Sequence, residues 1–128
     1  MATIRSYTSL EQSKKLAEIL PIKSADMTYY TCVKDWRGNS IEPKWGKPTT
    51  LTKEELALPR SNFQEYEYVP CWSLASLIGV LPEKYTELIK EGGLYRIIIK
   101  DSYMTCLFDN PVDACYEIII KLHDNKLL

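Results

Sequence analysis

Hydrophobic positions in this chain fall into blocks of different period, and each block predicts an element. Leu10, Leu16, Ala17, Ile19 and Leu20 lie at helical spacing with Glu11 and Lys15 on the opposite side, which predicts an amphipathic helix over 9–20. Ser9 and Gln12 have capping-box spacing at its start, and Pro21 stops it. Residues 27–33 are mostly Tyr, Thr, Cys and Val, so a strand follows. Tyr66 and Tyr68 alternate with Glu65 and Glu67, the pattern of a strand wet on one face. Ser73 is placed as N-cap of a helix over 73–81, with Trp72 and Leu77 as its hydrophobic staple and Pro82 as its stop. Residues 85–90 fit helix and strand equally, and Glu91, Gly92 and Gly93 make a turn.

The strongest local signal is the run 94–109. Two β-rich stretches flank Asp101 and Ser102, which predicts a hairpin 94–100/103–109 with a two-residue turn. That register pairs Ile99 with Met104, Ile97 with Cys106 and Tyr95 with Phe108, giving one wholly apolar face that helices must cover. Asn110 as N-cap, Pro111 in the first turn and Asp113 at the positive end start a last helix over 111–123. Its polar residues Asp113, Glu117, Lys121 and Asp124 form a narrow stripe, so most of it is expected to be buried against the hairpin. The expected architecture is a single α+β domain over 1–128, with an antiparallel sheet of about four strands covered on one face by helices 9–20, 73–81 and 111–123. Residues 34–62, with Gly38, Pro43, Gly46, Pro48 and Pro59, read as a long irregular segment interrupted by a short helix over 53–58, capped by Thr52 and Glu55.

Composition narrows the class without choosing a function. A 45% hydrophobic and 26% charged chain is globular, and a net charge of -1 gives no general attraction to phosphate or anionic lipid. The halves differ slightly: 1–64 carries ten basic and seven acidic residues, 65–128 six and ten, hence +3 and -4. The first ten residues have no signal-peptide core, and the longest apolar run, 69–81, is too short and too interrupted for a bilayer, so a cytoplasmic protein without a membrane partner is expected. Cys32, Cys71, Cys106 and Cys115 form no CxxC clip and are expected to be reduced thiols among apolar neighbours.

Catalytic chemistry finds little to work with. The single histidine, His123, would lie roughly 12 Å along the same helix from Cys115, outside hydrogen-bond reach. No glycine-rich phosphate loop and no metal-ligand spacing occur, so no catalytic residue, metal or cofactor is expected. One segment rises above this background. Trp36, Arg37, Lys44, Trp45 and Lys47 place two large aromatics beside cations in the irregular segment, where they could insert into a partner protein or stack bases; both tryptophans could equally fold back as lids on the core.

Two short motifs carry a resemblance. Val69, Pro70, Cys71, Trp72, Ser73 and Leu74 with the Leu81–Pro82 exit, and Asn110 to Ala114 at the start of the last helix, are similar to stretches of small uncharacterised proteins encoded by phages and mobile elements of gut bacteria. The resemblance covers about the C-terminal half, with Cys71 where alanine is usual, and implies a genomic setting but no activity. The expectation is a non-enzymatic accessory protein acting on another protein or on its own copy. The alternative is a weak single-strand nucleic-acid binder through the Trp36/Trp45 segment.

Overall fold

The computed structural model describes residues 5–56, 64–83, 86–99 and 103–128. In chain order the elements are α1 (Leu10–Ala17), β1 (Met27–Lys34), α2 (Lys53–Leu56), β2 (Glu65–Cys71), α3 (Leu74–Val80), β3 (Thr86–Glu91), β4 (Leu94–Ile99), β5 (Tyr103–Met104) and α4 (Pro111–Asp124). The fold is α+β, and its antiparallel strands are divided between two sheets, β1–β2 and β3–β4–β5, instead of the one sheet expected. Alternation identifies a strand but not its neighbour: β2 pairs with β1 across the irregular segment, whereas β4 pairs with the strands immediately before and after it.

The start signals act as read. Ser9 Oγ accepts the Gln12 amide at 3.2 Å while Gln12 Oε1 accepts the Ser9 amide at 3.0 Å, and Asn110 Oδ1 accepts the Val112 amide at 2.8 Å. α1 ends at Ala17, earlier than the predicted 20. The Ile19 and Leu20 amides both bond back to the Leu16 carbonyl in a tight turn, because a residue before proline avoids helical backbone. α2 occupies the start of the short helix expected over 53–58, whose last two positions lie outside the described residues. Gly92 and Gly93, both at positive φ (56° and 81°), join β3 to β4 as a two-residue hairpin turn, which makes the ambiguous stretch before it a strand.

The β4–β5 register departs from expectation. The pairs are Ile99 with Tyr103 and Ile98 with Met104, so three residues separate the strands where two are expected; that turn lies outside the described residues. The slip turns Met104 outward, 50% exposed, and brings Thr105 inward, where its amide donates to the Ile97 carbonyl and its Oγ1 accepts the Ile97 amide, both at 3.0 Å. One extra residue before Phe108 restores the predicted Tyr95–Phe108 pair. Cys106, expected in the apolar face, is exposed for the same reason.

The covered side still holds. Ile97 and Ile99 of β4 pack under α4, whose Val112, Ala114, Cys115, Ile118, Ile119 and Leu122 are buried with Trp72, Leu77, Leu81 and Leu16 in one cluster. α3 packs on α4 and α1 on β2. The N-terminal stretch closes the assembly: Thr8 donates its amide to the Trp72 carbonyl at 2.9 Å, Ser6 accepts from Leu74, and Arg5 pairs with Asp113, which also accepts from Gln12 Nε2 at 2.8 Å.

Candidate functional site

β1 has β2 on one side, and the other side is partly filled by the irregular segment. Thr49 exchanges both backbone hydrogen bonds with Thr28, at 2.8 and 2.9 Å. At the far end the Ile41 amide donates to the Val33 carbonyl at 3.0 Å, beyond a turn that Asp35 fastens by accepting the Arg37 and Asn39 amides. Between these anchors, residues 42–48 leave the strand. Pro43 and Pro48 bracket this departure, and proline has no amide to give a neighbouring strand. The Lys44 amide bonds instead to the Thr31 hydroxyl at 2.9 Å.

The departing segment leaves a cleft of about 760 Å³ along the edge of β1, lined by Tyr30, Thr31, Cys32, Ile41, Glu42, Lys44, Gly46, Lys47 and Tyr66. A second cleft of about 420 Å³, which includes Ile22, Thr28, Leu51, Tyr68 and Pro70, continues along the same sheet face. Cross-strand partners share a face, and Thr28–Pro70, Tyr30–Tyr68 and Cys32–Tyr66 are such partners. The floor is therefore one strip of tyrosines and small residues. Tyr30 and Tyr66 stand 6.4 Å apart, tilted at 39°, and Ile22, Tyr30, Ile41 and Leu51 are all exposed along the strip.

The five residues singled out in the sequence divide into three places. Lys44 and Lys47 line the larger cleft. Trp36, 59% exposed, stands on the turn after β1 with the Arg37 guanidinium 4.5 Å over its ring, so it is not a lid on the core. Trp45 is half-buried on the α1 side, with Lys14 Nζ 5.9 Å from its ring centre. The two tryptophans thus make no common stacking platform. Tyr30, Tyr66, Cys32 and Ile41 carry no local signal of a site; the alternation around Tyr66 predicts a strand, and nothing nearby says that β1 is the strand opposite.

The buried hydroxyls beside the N-terminal stretch are spent on structure. Thr8 Oγ1 lies 2.7 Å from Ser13 Oγ and accepts the Trp72 amide at 3.2 Å, while Tyr29 donates its hydroxyl to the Thr8 carbonyl at 2.8 Å. Burial pushes the Tyr29 phenol and the Cys115 thiol up to about 12, and also raises the Cys71 thiol against the pull of its Thr8 and Ser13 hydrogen bonds. At Asp26 burial is the largest single influence and acts upward, but hydrogen bonds from the Ser73 hydroxyl and amide and from Ser76 together hold the carboxyl below its ordinary 3.8. That carboxylate supports the first turn of α3. Among the described residues no group of three or more His, Cys, Asp and Glu could hold a metal ion, and no helix is long and apolar enough to cross a membrane. The chain matches no family model, no curated protein and no solved structure.

Proposed function

We propose that this protein is a non-enzymatic accessory protein of the cytoplasm, from a phage or mobile element, that acts by holding another protein against the outer face of β1 and β2. The observation that carries this is the strip along that face: two adjoining clefts, with exposed Tyr30, Ile41, Ile22 and Leu51 beside fixed backbone. Exposed apolar residues scattered singly need no explanation, whereas a contiguous rimmed row fits a partner interface. Lys44 and Lys47 share the larger cleft with Glu42, and a lining of both signs suits a protein surface better than a phosphate backbone.

The test is cross-linking capture from lysate of the natural host, using the native protein and the double variant Tyr30→Ala, Ile41→Ser. A captured protein that the variant loses while keeping its native melting temperature is expected. A native protein that captures nothing, or an unchanged capture by the variant, would overturn the proposal. The nucleic-acid reading keeps one supporting feature, Tyr30 and Tyr66 beside Lys44 and Lys47, and predicts salt-sensitive quenching of tyrosine and tryptophan emission by a single-stranded oligonucleotide. Unchanged emission at low salt removes it.

A further inference from the structure

We infer that the larger cleft takes an extended, acidic segment of the partner, paired through the backbone of Tyr30 and Cys32 as a third strand on the β1–β2 sheet. This rests on the protein-binding reading and specifies its ligand. Backbone direction alternates along a strand, and Thr28 turns both its amide and its carbonyl away from β2, toward Thr49. Tyr30 and Cys32, two and four residues on, turn theirs the same way. Opposite Thr28 stands Pro70, which has no amide to give, in keeping with that phase. Among the described residues, nothing bonds the outward amides and carbonyls of Tyr30 and Cys32, and these groups face the cleft of about 760 Å³.

The chain's own return segment pairs at both ends of this window and cannot pair through it. Thr28 with Thr49 sets one register, Lys34 with Ser40 another, and the residues between them exceed what an uninterrupted pair would hold by three. The excess lies in the return segment, where Pro43 and Pro48 have no amide to pair with β1. Thr28 and Val33, the occupied ends of the window, stand about 17 Å apart along the strand, and between them Tyr30 and Cys32 offer a short strand two anchoring positions.

Charge selects the occupant. Lysines at an open edge keep like edges apart, so Lys44 and Lys47, against the single Glu42, discourage a second copy from pairing here. The same lysines favour a strand with carboxylates. Its apolar side chains would meet Tyr30, Tyr66 and Ile41 on the cleft face.

A display library of random short peptides, panned on the folded protein, tests this whatever the identity of the partner. Enriched peptides are expected to carry acidic residues two positions apart. Their binding should fall at least about tenfold in the double variant Lys44→Glu, Lys47→Glu. The decisive readout is amide hydrogen exchange on the native protein. Without peptide the Tyr30 and Cys32 amides exchange fast while those of Tyr29 and Thr31, bonded to β2, are protected; with peptide all four are protected. Failure to enrich acidic peptides, or peptide binding that leaves Tyr30 and Cys32 exchange unchanged, overturns the inference. If that happens while capture from lysate still depends on Tyr30 and Ile41, the face binds protein by another mode and only the strand pairing is wrong.

Discussion

Trp72→Ala tests whether the residue where β2 runs into α3 is the centre of the core. Trp72 is fully buried, the largest such side chain among the described residues, and its indole Nε1 donates to Ser24 Oγ at 2.9 Å. A buried tryptophan removes roughly 150–250 Å² from water, worth about 4–6 kcal/mol at 25 cal/mol per Å². Compactness of the unfolded chain lowers that by roughly a tenth to a third, and a cavity left under α4 adds back a part, so the expected loss is about 3–5 kcal/mol. Most of the total stability of an ordinary domain lies within a few such losses. Urea unfolding followed by far-ultraviolet circular dichroism measures it, since tryptophan emission would change with the substitution itself. Trp72→Phe keeps much of the packing but gives up the bond to Ser24, and should cost about 1–2 kcal/mol. A loss under about 1 kcal/mol in Trp72→Ala would refute the reasoning, because a residue at the centre of one buried cluster cannot be removed at the cost of a surface side chain.

Four further outcomes follow from particular contacts. Ile97→Asp puts a carboxylate under α4 and should unfold or nearly unfold the protein, while Ile98→Asp on the other face should cost less than half as much by urea titration. Met104→Lys should cost under about 1 kcal/mol because Met104 faces out; a cost of several kcal/mol would restore the two-residue turn and its register. The Asp26 carboxyl is held below its ordinary 3.8, so its stabilisation is complete above the unfolded value and is lost as pH falls through the lower folded value; the stability gap between the native protein and Asp26→Asn should be flat above about pH 5 and close below about pH 4. A gap that closes on the alkaline side instead would contradict that assignment. Timed labelling with a thiol reagent at about pH 8 should modify exposed Cys106 first and leave Cys115, pushed up to about 12 by burial, unmodified until the protein unfolds.

Helix starts are the most legible part of the sequence because each is a local device. Ser9 with Gln12, Ser73 with Ser76 and Asn110 with Val112 meet within a few residues, and no distant partner is needed to make them. The apolar side of α4 and its contact with Ile97 and Ile99 are legible for a related reason: a helix so nearly apolar has to lie against whatever apolar face is nearest. Register is not legible. Whether two or three residues form the β4–β5 turn changes no residue type, yet it exchanges Met104 for Thr105 in the interior. The candidate site is legible only in part for the same reason. Lys44 and Lys47 stand out locally as cations in a proline-bounded segment, but the cleft they line exists because β1 pairs with β2 across a long stretch of intervening chain and because Thr49 and Ile41 tie the segment back at both ends. Nothing within any short window encodes that closure.

Charge separates the edge of β1 from that of β3. The two-residue turn points the backbone of Glu87, Ile89 and Glu91 toward β4, so the outward backbone of β3 belongs to Thr86, Leu88 and Lys90. A second copy pairing there about a two-fold axis would keep like faces together and bring Glu87 and Glu91 of both copies onto one side, opposite or diagonal to each other, where equal charges repel. β3 is thereby guarded against its own kind, although Leu88 is 40% exposed on the side that α4 covers elsewhere. At β1 Lys44 and Lys47 outnumber the single Glu42, and an edge of net positive charge repels its copy while admitting an acidic strand. Two short edges of comparable backbone geometry therefore differ in what they accept, and of the two, the one beside Lys44 and Lys47 also has a tyrosine-lined cleft to receive the side chains that come with a strand.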